Sequence, residues 1–133
     1  MTNAPEIIRE LVGQFETNLR AYKSPTYKEE QLKHDFLNKF FKALGWDVYN
    51  EKNAAPQHRD VIFEDSIKIG GGTKAPDYCF TLAGKRMFFV EAKKPSVDIK
   101  KDVHPAFQLR RYAWSAKLPL SIFLYSHRSI FLF

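Results

Sequence analysis

One segment of the chain, APDYCFTLAGKRMFFVEAKKP at residues 75–95, carries two acids and a lysine at the ends of two apolar runs. A three-residue hairpin loop at residues 83–85 would pair residues whose numbers add up to 168. Asp77 then lies directly opposite Glu91, and Lys93 points to the same face because side chains alternate along a strand. The pattern therefore predicts two carboxylates and an ammonium side by side at the open end of a hairpin.

These three side chains suggest a specific chemistry. Two carboxylates that face each other across antiparallel strands repel unless they share a proton or bind a cation. Such oxygen ligands suit Mg²⁺, with Mn²⁺ able to take its place, and Lys93 could orient or help deprotonate an attacking water beside a phosphate. The pattern is typical of phosphodiester hydrolysis. The alternative is a strand-end salt bridge in which Lys93 only neutralises Glu91.

Two helices are expected to precede this hairpin. Apolar residues recur at helical spacing over residues 4–25 and again over residues 27–46, where Gly45 is placed to end the second helix. Thr26 and Glu29 have the spacing of a capping box at the start of the second helix.

The rest of the chain predicts a mixed β-sheet. Besides the hairpin we expect strands at residues 46–50, 60–69, 118–126 and 129–133, and a helix at residues 105–117. The GGGTK at residues 70–74 lacks the spacing of a phosphate-binding loop and is interpreted as a flexible connector. The hairpin face opposite the charges is predicted to enter the core through Tyr78, Phe80, Leu82, Phe88, Val90 and Ala92. Residues 1–133 thus predict a single domain of the α/β or α+β class, a mixed sheet flanked by helices.

The charge of the chain is distributed unevenly. Formal net charge is +6, and residues 84–128 hold ten Lys and Arg against three Asp and Glu. Such an excess indicates a surface that faces a polyanion, although solvated surface lysines give the same composition. The residues chosen as candidates for contacts with the phosphates of double-stranded DNA are Lys74, Lys94, Lys100, Lys101, Arg110 and Arg111.

Cysteine usage and hydropathy bear on the compartment. Cys79 is the one cysteine, so an internal disulfide is excluded and a reducing compartment is expected. The sequence has no apolar run near the roughly 18 residues of a membrane span and no signal peptide at its start. We therefore expect a cytoplasmic protein without membrane contacts.

The motifs also resemble a known group of enzymes. PD at residues 76–77, thirteen further residues and EAK at residues 91–93 are similar to the PD-(D/E)xK nuclease superfamily. The resemblance extends in order over about residues 26–122 to the N-terminal nuclease domain of type IIG and type ISP restriction-modification enzymes, and more distantly of type I restriction subunits. It is carried by the blocks YKEEQLKHDFLNKFFKALGWDV, TKAPDYCF, RMFFVEAKKPSVDI and QLRRYAWSAKLPLSI.

This resemblance implies a restriction-endonuclease-like fold and a role for individual residues. Asp77 and Glu91 would bind the metal, and Lys93 would serve the attacking water. Glu29 matches an acidic residue on an early helix that can reach the metal, and Gln108 and Tyr112 match a QxxxY element that helps to arrange the active site and the DNA. Two alternatives stay open. Glu29 could only cap its helix, and the QxxxY pair could be ordinary helical packing.

The resemblance further implies that the chain is the N-terminal piece of a larger enzyme. A methyltransferase and a target-recognition domain, or a helicase motor, would follow it, and none of these is in this sequence, whose final SHRSIFLF departs from the family pattern. The expected function is that of a Mg²⁺-dependent DNA endonuclease in a restriction-modification system, and cutting both strands calls for a dimer, at least transiently. The alternatives are a nucleic-acid-binding module of the same fold without catalysis, and a junction resolvase or repair nuclease.

Overall fold

The helices and strands are taken from a computed structural model, which describes residues 3–65, 67–69, 72–96, 104–118, 120–125 and 129–132. The helical elements are α1 (Ala4–Thr17), α2 (Leu19–Tyr22), α3 (Glu29–Leu32), a π-helical turn (Lys33–Leu37), α4 (Asn38–Ala43), a 3₁₀ turn (Pro56–His58) and α5 (His104–Ser115). The strands are β1 (Val61–Phe63), β2 (Ile67–Ile69), β3 (Gly72–Lys74), β4 (Tyr78–Leu82), β5 (Lys85–Lys93), β6 (Leu120–Tyr125) and β7 (Ser129–Leu132). None of the helices in these ranges combines the length and apolar character that crossing a membrane requires.

Five strands form a mixed sheet in the order β1-β4-β5-β6-β7. All neighbours in it run antiparallel except β5 and β6, which are parallel and are connected through α5. A parallel pair needs such a crossover because its second strand must start at the same edge as the first. β5 is the central strand of the sheet. The predicted α+β class, a mixed sheet with helices packed on it, is confirmed.

The β4–β5 hairpin has the predicted register at its open end but a different turn. Tyr78 pairs with Val90 and Phe80 with Phe88, as expected, whereas Leu82 pairs with Lys85 after a shift beyond Phe80. The predicted three-residue loop is therefore wrong, and the loop holds two residues. Ala83 and Gly84 both have positive φ, 51° and 77°, as in the tight turns that follow the twist of a hairpin. A β-bulge in β5 restores the predicted register. The predicted pairing at the open end is therefore right although the predicted turn is wrong.

The core lies mainly between this sheet and the helices that precede it. Its principal cluster combines residues of α4 and the loop after it with inward-facing residues of β1, β4 and β5, namely Phe41, Val48, Val61, Tyr78, Phe80 and Val90. A second cluster joins α1 to α3 and the π-helical turn through Tyr27, Leu32 and Phe36. Of the apolar face predicted for the hairpin, Leu82 does not enter the core, since it is 63% exposed beside the turn.

The other face of the hairpin is covered as well. Cys79 and Phe89 alternate with the core residues and are fully buried, as is Leu109 on α5, which contacts β5 and β6. The sheet therefore has helices packed on both faces. As a consequence, the charged residues that share the face of Phe89 stand beside a packed apolar layer rather than on an open surface.

Several predicted elements differ in the structure. The first helix is interrupted at Asn18, whose side-chain amide donates to the Gln14 carbonyl and whose backbone is not helical. Residues 46–50 form turns instead of a strand, and the apolar alternation there reflects Val48 and Trp46 reaching the core from a loop. The predicted strand at residues 60–69 is divided into β1 and β2.

The glycine-rich segment also differs from its prediction. Gly72–Lys74 forms β3, which pairs antiparallel with β2, so this part is a strand and not a flexible connector. The predicted helix end is confirmed, since Gly45 has φ +104°, a conformation that favours glycine.

Candidate active site

The open end of the β4–β5 hairpin brings three predicted residues together. Asp77 directly precedes β4, and Glu91 and Lys93 lie two residues apart near the end of β5. The backbone N–H of Asp77 donates to Glu91 Oε2 at 3.3 Å, so the two acids meet across the strands as predicted. The pairing of β4 with the central strand β5 holds these two residues opposite each other.

Asp77 is held by contacts on both of its carboxylate oxygens. Oδ2 accepts a hydrogen bond from the backbone N–H of Ala92 at 2.8 Å, and Oδ1 lies 3.3 Å from Lys33 Nζ. A backbone donor and a charged donor both stabilise an ionised carboxylate. The following residue adds a further anchor, because the buried Tyr78 hydroxyl donates to Asn38 Oδ1 on α4 at 2.7 Å.

Glu91 is an acid in an unfavourable place. It is only 7% exposed. Burial raises the pKa of Glu91 to about 8, and the neighbouring Asp77 charge adds to this rise while Lys93 opposes it. Desolvation penalises the charged form of a carboxyl group, and a like charge nearby does the same. A buried glutamate beside a second acid is stabilised by any cation that can approach both carboxylates.

Lys93 lies between two acids. Its Nζ is 3.9 Å from Glu91 Oε1 and 3.8 Å from Glu29 Oε1 on α3. The alternative that Glu29 caps its helix through Thr26 is wrong, because the backbone N–H of Lys28 donates to the Gln31 side chain at 2.9 Å and Thr26 pairs with Ser24 instead. Glu29 thus faces the predicted site through Lys93.

Lys33, at the start of the π-helical turn, is a site residue that the sequence analysis missed. Its side chain is 8% exposed and contacts both Asp77 and Glu30 Oε2, the latter at 3.0 Å. Burial alone would lower the pKa of Lys33, but Asp77 and Glu30 outweigh it and raise that pKa above its ordinary value. A signal existed in the sequence, since Lys33 lies three residues before Phe36 and four before Leu37, on the apolar stripe of its helix.

The helix α5 carries the other predicted residues near the sheet. Gln108 is partly buried and Tyr112 lies one turn further along. Within the described part of the chain, no hydrogen bond joins Gln108 to Asp77, Glu91 or Lys93, and the role of the QxxxY element stays a prediction. The side chain of Tyr112 lies outside what the structure describes.

The predicted phosphate contacts are placed only in part. Arg110 and Arg111 are exposed on α5, and Lys94 is partly exposed directly after β5. Lys74 belongs to β3 without a described side chain, and residues 97–103, with Lys100 and Lys101, lie outside the described residues. The same helix exposes two aromatic side chains that the sequence analysis did not single out. They are Phe107, whose ring is 5.9 Å from the Arg110 guanidinium, and Trp114, which is 86% exposed.

The acids present are compatible with a divalent cation. Asp77 and Glu91 offer adjacent carboxylate oxygens, and Mg²⁺ commonly takes one or two carboxylates and completes its shell with water and phosphate oxygens. Over the described residues no group of three or more His, Cys, Asp or Glu is close enough to hold a metal ion. Glu29 therefore stands apart from the Asp77–Glu91 pair.

Comparison with known proteins shows a similarity to a restriction enzyme. The chain is 42% identical over 122 residues to the type II restriction enzyme and methyltransferase RM.Eco57I of Escherichia coli. Nine-tenths of the chain thus resembles part of a restriction-modification enzyme. The chain spans about 12% of the length of that relative. No family model matches the chain, and no solved structure matches it. The similarity supports the predicted resemblance to restriction-modification enzymes.

Proposed function

We propose that this chain is the Mg²⁺-dependent DNA endonuclease domain of a restriction-modification enzyme, with a site of the PD-(D/E)xK type. The observation that carries the proposal is the adjacent Asp77–Glu91 pair, with Glu91 buried and Lys93 beside it, in a chain similar to part of a restriction enzyme. A buried acid costs stability, and acids in such environments are typical of functional sites. A pair of acids with a lysine beside it suits metal-assisted hydrolysis of a phosphodiester.

Each residue has a role in this proposal. Asp77 and Glu91 would hold Mg²⁺, which when bound supplies Lewis-acid activation of a water and of the phosphate. Lys93 Nζ orients the attacking water and offsets negative charge that develops on the phosphate. Glu29 and Glu91 both lie within 4 Å of the Lys93 ammonium and hold it at the site.

Double-stranded DNA is the proposed substrate. The exposed Arg110 and Arg111 on α5, and Lys94 after β5, provide positive charge on the chain close to the strand that carries the site. Such contacts bind phosphates without reading the sequence. Recognition of a target sequence and methyl transfer would belong to other parts of a larger enzyme, as the partial coverage of RM.Eco57I suggests.

The test is cleavage of supercoiled plasmid by the purified chain in excess over DNA, with Mg²⁺ and then with Mn²⁺. The decisive variant is Lys93→Ala, and the matched control is Lys85→Ala, which removes an exposed lysine from the other end of the same strand. Wild type and Lys85→Ala should nick or linearise the plasmid. Lys93→Ala should be slower by at least about 100-fold, the usual effect of removing a charge-stabilising group.

Three results would contradict the proposal. Equal cleavage by wild type and Lys93→Ala would remove Lys93 from the site. Salt-dependent DNA binding by the wild type without cleavage in either metal would instead favour the non-catalytic binding module. A strong preference for branched over linear DNA would point to a junction resolvase.

A further inference from the structure

Lys33 has no role in the mechanism above, although it is the most buried charged side chain in contact with Asp77. It comes from the helical layer, 44 positions before Asp77 in the sequence, and its ammonium lies 3.3 Å from Asp77 Oδ1. Lys93, at the end of β5, contacts Glu91 and Glu29. The Asp77–Glu91 pair is therefore flanked by two lysines of independent origin.

The burial of Lys33 is explained by Asp77 rather than by Glu30. A buried ammonium is costly unless a charged partner compensates it. The Glu30 side chain is 67% exposed and would pair with a lysine in solvent equally well, whereas the Asp77 side chain is 16% exposed. The structure thus places the Lys33 charge where it neutralises the less exposed acid.

The contact with Lys33 involves one of the two carboxylate oxygens of Asp77. Asp77 Oδ2 is engaged by the Ala92 backbone N–H, which the sheet holds in place. Oδ1 accepts no backbone hydrogen bond among the described residues and is the more open of the two oxygens to a charged ligand, and Lys33 Nζ stands next to it. A divalent cation that binds Oδ1 must either move the Lys33 ammonium or accept repulsion from it, because unit charges a few ångströms apart interact strongly in a partly buried site.

We propose that Lys33 is an internal counter-cation, which holds Asp77 Oδ1 when no divalent cation is bound and competes with that cation for it. The inference rests on the proposed metal site. Glu30 Oε2, 3.0 Å from Lys33 Nζ, gives the displaced ammonium a second partner near the surface. Lys33 is also the first residue of the π-helical turn, a local geometry that is frequent at functional sites.

The test is Mn²⁺ binding measured by isothermal titration calorimetry on the whole chain. Lys33→Met removes the charge and keeps much of the side-chain volume, and Lys42→Met is the control, since Lys42 is exposed and pairs with Glu51 at 2.7 Å. A neighbouring unit charge changes the proton affinity of a carboxylate by about 10- to 1000-fold. We accordingly expect Lys33→Met to bind Mn²⁺ about tenfold more tightly than wild type, and Lys42→Met to bind it as wild type does. Equal or weaker binding by Lys33→Met would overturn the proposal.

A second measurement separates this proposal from the metal site itself. In metal-free buffer, Lys33→Met should lower the melting temperature. The double variant, which combines Lys33→Met with Asp77→Asn, should regain most of that loss, because the side chain at position 77 then has no charge to be neutralised. If wild type binds no Mn²⁺, the proposed metal site fails, while this pair of variants still tests Lys33. Additive losses in the two variants would refute the counter-cation. If Lys33→Met does not fold, Lys33→Gln is measured in the same way.

Discussion

The two ends of the β4–β5 hairpin differ in which kind of residue they expose and which kind they bury. At the turn, the apolar Leu82 and Met87 are 63% and 37% exposed. At the open end, Glu91 is 7% exposed and Asp77 lies beside it. Stability alone favours the reverse arrangement, with apolar side chains inside and acids outside. The comparison indicates that the open end is organised around its charged side chains, whereas the turn only reverses the chain.

The largest effect that follows from this comparison concerns cleavage. Asp77→Asn keeps the shape of the side chain but removes its charge, so we expect plasmid cleavage to fall by at least about 100-fold. Leu82→Ser alters the exposed end of the same strand and should leave the rate within about twofold. Rates are compared under single-turnover conditions with Mg²⁺. A loss of similar size in both variants would show that the hairpin as a whole, and not its open end, governs activity.

The next effect concerns the dependence of stability on pH. The folded state holds the pKa of Glu91 at about 8, whereas an unfolded glutamate titrates near its ordinary value, about 4.3. Between these values the folded state binds a proton that the unfolded state lacks, so the free energy of unfolding falls as pH rises from about 4.3 to about 8. The decrease should reach at most about 1.4 kcal/mol per pH unit.

Urea denaturation at pH 5, 6.5 and 8 in the presence of a chelator measures this decrease. Glu91→Gln cannot ionise, and its curve should be flatter over the same range. An identical pH dependence in wild type and Glu91→Gln would mean that other groups are responsible. Adding Mn²⁺ at pH 8 should restore stability to wild type if the acids bind the metal.

The smallest effect concerns the turn end. Gly84 has φ +77°, and a Cβ there would stand 3.4 Å from the Gln57 carbonyl oxygen. Gly84→Ala should therefore lower the free energy of unfolding by about 1 kcal/mol. Ala83 has φ 51°, and Ala83→Asn should raise it by about 0.5 kcal/mol, because Asn-Gly suits this turn. Thermal melts check whether Gly84→Ala lowers the stability and Ala83→Asn raises it. A change of stability in the same direction in both variants would contradict the assignment of the turn. Cleavage should not change in either.

The sequence allowed the open end of the hairpin to be predicted but not the turn. Asp77 and Glu91 face each other as expected because alternation along two apolar strands restricts the possible registers. The two-residue turn and the bulge beyond Phe80 compensate each other, and neither leaves a mark in the polarity pattern. The strand predicted at residues 46–50 was wrong for a different reason, because apolar residues in a loop can also alternate and still reach the core.

The helical contribution to the site was predicted less completely. Glu29 was identified through the resemblance, whereas its approach to Lys93 depends on how α3 packs against the sheet. Lys33 was missed because a lysine between apolar residues is usually interpreted as solvent-exposed, and only tertiary packing brings it to Asp77. The π-helical turn adds to the difficulty, because it changes which residues of a helix share a face.

The central position of β5 determines how the site can open. Glu91 lies on a strand that is paired on both sides, with β4 and with β6. Its carboxylate cannot separate from Asp77 through local fraying, which is confined to edges and ends of a fold. Amide protons near Glu91 should therefore exchange with solvent only when the sheet unfolds, and any ligand held by the two acids would slow that exchange along the whole strand. Occupancy of the site is thus coupled to the lifetime of the folded chain.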